Sequence, residues 1–158
     1  MKFANVATFI ASGNMIFDSP HRDGRKLVDL IERHLPQALG YDVDTFIRTR
    51  AEVEAVTAFQ PFSKADMEKT GNTIHIGFWK EAPDAALVRG LLACRTEVDE
   101  FCVEGREFYW LCRIKTHESK VWSSPAMRAL KLPTSTARNL TSLRKLISNT
   151  RFSDIKRP

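Results

Sequence analysis

VDEFCVEGREFYWLC, residues 98–112, is the stretch that decides the fold of this chain. Segments rich in apolar residues lie on both sides of Glu104–Gly105, which predicts antiparallel strands at residues 98–103 and 107–112 with a tight turn at that pair. Glycine suits such a turn because it adopts positive φ without steric strain. The stretch therefore predicts a β-hairpin.

The segments around this hairpin complete a regular order of strands and helices. Residues 73–79 alternate as a strand does, Asp84 is a predicted helix N-cap, and Ser124–Pro125 is typical of a second helix start. The predicted elements are a strand at 73–79, a helix from residue 84, the hairpin, a helix reaching residue 131 and a strand at 134–137. This is the split βαβ, or ferredoxin-like, order, and it places the first strand centrally, beside the last.

The first half shows only part of that order. Its predicted elements are a hairpin of residues 3–10 and 15–18, a helix at 22–39, a strand at 43–48 and a helix at 50–59. Gly40 is a predicted helix C-cap, and Thr49 with Glu52 three residues later matches a capping box. Compared with the second half, a central strand and its crossover helix are expected to be absent.

The sequence thus predicts an α+β fold of two tandem ferredoxin-like units with antiparallel sheets, the first unit trimmed at its N-terminus. Residues 1–60 form the first unit, 61–72 a polar linker, and 73–150 the second unit with a C-terminal helix at 141–149. The helical spacing of apolar residues predicts that the following side chains face the core: Val53, Val56, Leu87, Leu91, Leu92, Leu143, Leu146 and Ile147.

Composition and charge exclude some classes of protein. A net charge of +5 favours anionic partners, although a basic surface also serves solubility alone. No apolar run reaches about 18 residues, so no membrane span is expected. The N-terminus has no apolar block followed by a cleavage site, so no signal peptide is expected.

Cysteine usage points to a reducing compartment. Cys94, Cys102 and Cys112 lack the spacing of a CxxC motif. With the turn at Glu104–Gly105, Cys102 faces Glu107 and Cys112 lies far along the ladder, beside Glu97, so a disulfide between them is not expected. Buried free thiols in a cytoplasmic protein are the prediction.

Two stretches carry a resemblance to a known family. Residues 8–19, TFIASGNMIFDS, and residues 136–141, TARNLT, resemble the signature stretches of a mainly bacterial family, domain of unknown function 1697. Similar residues also occur at 46–52, 59–62 and 118–120, so the resemblance covers nearly the whole chain. It implies a duplicated α+β fold and no particular activity. Similar members begin earlier, with a strand, a Gly-rich loop and a helix that this chain lacks.

Arg138 and Asn139 form the first candidate site, because they lie between a strand end and a helix start. A guanidinium beside free helix N–H groups makes a good anion site. The alternative is structural: Asn139 or Thr141 caps the last helix, and Arg138 pairs with a carboxylate.

Ser119 and Lys120, with His117 nearby, form the second candidate site. A serine and a desolvated lysine can perform nucleophilic chemistry, but sequence neighbours on a helix do not face each other. A capping Ser119 and a solvated or phosphate-binding Lys120 is the favoured interpretation.

The third candidate is the triplet Ser12–Gly13–Asn14, whose backbone N–H groups could hold an anion, although such triplets are more often plain turns. Arg48, at the end of the predicted strand 43–48, adds a further cation.

The aromatic side chains of the second half have two interpretations. Trp79, Phe108, Tyr109 and Trp110 lie on neighbouring predicted strands, where RNA-recognition sheets carry stacking platforms. Packing in the core is the favoured alternative. The four histidines lack metal-ligand spacing, and no cofactor motif is present, so neither a metal nor a cofactor is expected.

The function favoured by the sequence is a soluble binding module for an anionic ligand, either a phosphorylated small molecule or nucleic acid. Its candidate residues are Ser12, Asn14, Arg48, Ser119, Lys120, Arg138 and Asn139. The alternative is an enzyme of unknown reaction with a pocket between the two halves. Because a trimmed sheet exposes strand edges, the chain is expected to form a homodimer through its first half or to be a poorly stable monomer.

Overall fold

The computed structural model describes residues 3–9 and 13–148, so predictions for Ile10, Ser12 and Asn149 lie outside the described residues. The strands are β1 (Ala4–Phe9), β2 (Asn14–Asp18), β3 (Thr73–Trp79), β4 (Asp99–Glu104), β5 (Glu107–Cys112) and β6 (Ser135–Asn139). The α-helices are α1 (Gly24–Leu39), α2 (Arg50–Ala58), α3 (Lys64–Glu68), α4 (Ala85–Ala93), α5 (Pro125–Ala129) and α6 (Leu140–Ser148). A short 3-10 helix, Val121–Ser123, precedes α5.

Four strands of the second half form an antiparallel sheet in the order β4-β5-β3-β6. The central place of β3, beside β6, confirms the adjacency predicted for the first and last strands of this half. β3 has the predicted bounds, because its successive side chains point to opposite faces of the sheet along the whole segment. β6 begins one residue later than predicted and continues to Asn139.

The predicted turn of the β4–β5 hairpin is wrong by one residue. The two turn positions are Gly105 and Arg106, and Gly105 takes a φ of +58° at the first of them, as glycine does in type II′ hairpins. Cross-strand partners therefore shift, so that Cys102 lies opposite Tyr109 and Cys112 opposite Asp99. All three cysteines are free, as predicted.

The sheet separates two hydrophobic clusters. The first combines Ile74, Ile76, Phe78, Tyr109 and Leu111 of the sheet with Val53 and Val56 of α2, Phe62, and Leu140, Leu143 and Leu146 of α6. The second combines Trp79, Phe101, Phe108, Trp110 and Cys112 with Leu91 and Cys94 at α4, Val121, and Met127 of α5. Of the predicted inward residues, Leu92 is the error: it is 38% exposed, because Leu91 and Cys94 define the buried face there.

The structure confirms the residues predicted to cap the N-termini of α2, α4 and α5. Thr49 and Glu52 form the predicted capping box, Asp84 caps α4, and Ser124 caps α5. The helix predicted at 22–39 begins at Gly24, because the carboxylate of Asp23 accepts hydrogen bonds from the first free N–H groups. α5 ends at Ala129 rather than residue 131, where Lys131 has a positive φ that no α-helix permits.

The strand predicted at 43–48 does not form. Within the described residues this segment has no strand beside it, and β1 and β2 pair only with each other. The N–H of Thr45 donates instead to the carboxylate of Glu32 on α1, at 2.6 Å. A strand needs a hydrogen-bonded neighbour, so apolar alternation alone is not sufficient.

The segment predicted as a linker, residues 61–72, is packed against the sheet. It contains α3, and its Phe62 is buried in the first cluster. Asp66 of α3 accepts two hydrogen bonds from Arg113, at 3.0 and 3.1 Å, just after β5. The domain boundaries at 60 and 73 stay predictions.

Gly77 allows Phe108 to lie flat on the sheet. A Cβ at Gly77 would meet the Phe108 ring at 1.9 Å, and that ring is confined by Trp79 and Trp122. We expect Gly77→Ala to lower the free energy of unfolding by about 1–3 kcal/mol, measured by urea denaturation. Gly24→Ala, where nothing lies within 4 Å, is the control and should change stability little. Equal stability of the two variants would contradict the overpacking argument.

The Asp66–Arg113 contact predicts a pH dependence. Hydrogen bonds from Arg113 and then Ser63 hold the pKa of Asp66 below its usual value, so its ionised form stabilises the folded state at neutral pH. This contribution is lost as the pH falls below the usual aspartate value and through the lowered pKa. We expect Asp66→Asn to lower the urea midpoint at pH about 7 and to match the wild type near pH about 2. A midpoint difference that is the same at both pH values would refute the assignment.

Candidate functional site

The β1–β2 hairpin and strand β6 meet at Arg138. In the sheet, Arg138 is paired with Ile76, so its side chain lies on the face of the first cluster. Its Nε donates to Oδ1 of Asn14 at 2.7 Å, across 124 positions of sequence. Two residues predicted separately as parts of an anion site are thus in contact.

The surroundings of Arg138 are polar and partly buried. Its guanidinium also donates to the hydroxyl of Thr136 at 2.6 Å and to the carbonyl of Ala137 at 2.8 Å. Burial lowers the pKa of Arg138, but a guanidinium remains charged at neutral pH. These three acceptors are neutral oxygens, and they fix the orientation of the guanidinium.

The side chains of Asn14 and Asn139 each form a hydrogen bond with the backbone. The Asn14 amide donates to the carbonyl of Phe9 at 3.2 Å, which ties the hairpin across its turn, where Gly13 has a φ of +75°. Oδ1 of Asn139 accepts from the N–H of Thr141 at 2.8 Å, as predicted in the structural alternative for this residue. Ser12 lies outside the described residues.

Arg48 lies in a buried junction between the first half and the sheet. Its Nε donates to Glu107 at 2.6 Å, with side-chain exposures of 5% and 11%. The guanidinium also donates to the Trp79 carbonyl at 2.8 Å and lies over the Phe78 ring. Burial lowers the pKa of Arg48, and the contact with Glu107 partly opposes that shift.

Ser119 and Lys120 lie on the opposite face of the sheet from Arg138. Ser119 donates to Oδ1 of Asp99 at 2.8 Å and accepts from the N–H of Val121, whereas the N-cap position of the 3-10 helix is Lys120. Asp99 pairs with Cys112 of the second cluster, whereas Arg138 faces the first. Lys120 is exposed. The structure therefore does not unite this candidate with Arg138.

Asp99 is the buried polar residue that sequence reasoning missed. It is 2% exposed and accepts from the Trp110 indole at 2.8 Å, from Ser119 and from the Thr96 hydroxyl at 2.9 Å. The one available signal was an acidic residue at an inward position, two before Phe101. Its partners come from both sides of the β4–β5 hairpin, so Asp99 fixes the loop that follows β5.

A groove of about 490 Å³ lies at the end of β3 and the start of α4, with Asp44 as its lining residue from the first half. It is lined by Asp44, Trp79, Lys80, Glu81, Ala82, Pro83, Asp84, Leu87, Pro133 and Thr134. Lys80 donates to both Asp44 and Glu32, at 2.6 and 2.8 Å, and these carboxylates raise its pKa. Lys80 is thus held as a cation, and the groove has an excess of carboxylates.

The aromatic side chains are in the core. Trp79, Phe108, Tyr109 and Trp110 are each at most 6% exposed, so they offer no stacking surface to a base. This confirms the packing interpretation. Among residues 3–9 and 13–148, no group of three potential metal ligands occurs. None of the helices described is long and apolar enough to cross a bilayer.

Comparison with known proteins identifies the family to which the sequence belongs. The family model described as protein of unknown function (DUF1697) matches residues 1–109. The chain belongs to this family. No curated protein matches it. The structure of the conserved bacterial protein SP0830 from Streptococcus pneumoniae is similar, with a TM-score of 0.63 and 16% identity over 96% of this chain and 82% of that chain. At this identity, the likeness supports the fold alone.

The Arg138 contact therefore lies partly inside and partly outside the match to the DUF1697 family. The hairpin belongs to the matched residues, and Arg138 follows them. Sequence reasoning found both segments by resemblance, but spacing along the chain could not show that they touch.

The buried ion pair of Arg48 gives a stability prediction for this family member. Replacing Arg48 with Met leaves the Glu107 carboxylate buried without its cation, and we expect a loss of about 3–5 kcal/mol in urea denaturation. Arg48→Met combined with Glu107→Leu should recover part of that loss, because no buried charge then remains. A double variant less stable than the single one would contradict this account.

Proposed function

We propose that this protein is a binding module for an anionic ligand, with a phosphorylated small molecule as the ligand class and Arg138 as its main charged contact. The observation that carries the proposal is the hydrogen bond between Arg138 and Asn14. It joins the first residue of β2 to strand β6 at one cation.

The chemistry at Arg138 suits a phosphate or carboxylate. A partly buried guanidinium interacts more strongly with an anion than an exposed one does, because the local dielectric is lower. The oxygens of Asn14, Thr136 and Ala137 are weaker acceptors than an anionic oxygen, so a ligand oxygen can replace one of them. The N-terminal end of α6 adds a favourable dipole.

The buried rings favour a small ligand over nucleic acid. A single-strand binding surface needs exposed aromatic side chains along a basic groove, and the groove described here is acidic and its nearby rings are buried. We therefore restrict the ligand site to Arg138, Asn14 and Asn139. Lys120, Ser119 and Arg48 are assigned structural or surface roles.

An enzyme remains the second candidate, and the groove beside Lys80 is the observation that favours it. The groove lies between residues of the two halves, where the sequence predicts a pocket. Asp44 and Glu32 raise the pKa of Lys80, which lines this groove. Lys80 is therefore protonated at neutral pH, and a protonated lysine is not a nucleophile. No reaction is assigned to it.

Three further parts of the proposal concern architecture and setting. The order β4-β5-β3-β6 supports a ferredoxin-like second unit, and we infer that the first unit is its trimmed duplicate.

Three free cysteines support a cytoplasmic setting. A homodimer through the first half is supported by the exposure of Val6, Met15, Leu39 and Tyr41.

The anion site is tested by titrating inorganic phosphate into the protein and measuring heat of binding. We expect Arg138→Ala to weaken phosphate binding at least about tenfold, since a charge-assisted hydrogen bond of about 1.5–3 kcal/mol is lost. Arg128→Ala, which removes the same charge from an exposed position on α5, is the control and should bind as the wild type does.

Melting temperatures of the two variants separate binding from folding. If Arg138→Ala loses several degrees of melting temperature and still binds phosphate like Arg128→Ala, Arg138 is a structural residue and the proposal is wrong. Arg138→Lys should give an intermediate affinity, because the charge remains but the planar donor geometry does not.

A further inference from the structure

The β1–β2 hairpin combines a packed face with exposed apolar side chains. The two strands form a sheet of their own, and none of their residues is buried. Phe9 and Ile16 pack against the first cluster, whereas Val6 is 53% exposed and Met15 60% exposed. A two-stranded sheet is marginally stable by itself, so this one gains from an additional strand.

The edges of the hairpin carry almost no charge. In β1 (ANVATF) and β2 (NMIFD), Asp18 is the sole ionisable residue, and neither strand contains lysine or proline. Natural edge strands usually carry such residues, because they prevent pairing with another chain. Their absence here is notable in a chain of which 27% is charged.

The two edges are not equivalent. β1 has an irregular register between Ala4 and Ala7, and Asn5 within it has a φ of +52°. A bulge of this kind twists a strand and protects its edge. Over Asn14–Ile16, where it pairs in register with Ala7–Phe9, β2 is regular. The available edge is therefore that of β2.

We propose that two copies of this chain associate through β2, pairing antiparallel about a twofold axis at Ile16. The shared sheet then has four strands, β1-β2 of one protomer followed by β2-β1 of the other. A twofold contact of this kind is self-complementary and closed.

The sequence of β2 suits pairing with itself. With Ile16 on the axis, Asn14 faces the partner's Asp18, so the two carboxylates lie at opposite ends and do not repel each other. Met15 faces the partner's Phe17, and a methionine against an aromatic ring is a favourable contact. The exposed Met15 is buried in that arrangement, and the nearly uncharged edge of a second β2 fits it better than a charged peptide does.

The oligomeric state is measured by sedimentation equilibrium of the full chain from micromolar to millimolar concentration. We expect a monomer–dimer equilibrium, and Met15→Lys should raise its dissociation constant at least about tenfold, since a lysine on a strand edge opposes pairing. Leu92→Lys, an equal change at an exposed leucine of α4, should leave the constant unchanged.

Circular dichroism melts show whether each variant folds, and both substitutions are at exposed positions. A wild type that stays monomeric throughout this range overturns the proposal, and the edge then serves a strand of another protein or none. A dimer that Met15→Lys does not weaken, or that both variants weaken equally, also overturns it. The assay contains no phosphate, so the dissociation constant of the dimer and the affinity for phosphate are measured separately.

Discussion

The ion pair between Arg48 and Glu107 is the interaction on which the relation of the two halves depends. Glu107 is the first residue of β5, and Arg48 also binds the carbonyl that ends β3. Both charges are buried, so each is tolerable only while the other is present. The helix α2 begins two residues after Arg48, and this pair therefore sets where α2 meets the sheet.

Two further arginines extend this arrangement to both ends of β5. Arg106, just before the strand, binds Glu52 of α2, and Arg113, just after it, binds Asp66 of α3. β5 is buried along its whole length. The most enclosed strand of the sheet is thus also the one whose ends hold the neighbouring helices by charge.

Much of the second half could be predicted because its signals are local. The alternation in β3 and the capping residues Asp84 and Ser124 each depend on a few adjacent residues, as does the capping residue Thr49 in the first half. The turn at Gly105 was misplaced by one residue because glycine can occupy either central position of a tight turn. The strand at 43–48 failed for a different reason, since a strand exists only with a partner beside it.

The candidate site was predictable only as separate residues. Arg138 and Asn14 each stand in a stretch that local patterns single out, but their contact depends on how the hairpin packs on the first cluster. Asp99 was missed because its one local signal, a position two residues before Phe101, does not by itself distinguish a buried carboxylate from a solvated one. Its three neutral donors come from loops and a strand that only the fold brings together.

The three free cysteines differ in how readily oxidants reach them. Burial raises the pKa of the thiols of Cys94, Cys102 and Cys112, so the reactive thiolate is scarce at neutral pH. Cys112 is enclosed within the second cluster, whereas Cys102 is partly exposed on β4, the outermost strand of the sheet. Oxidants and alkylating reagents therefore reach the sulfur of Cys102 more readily than that of Cys112.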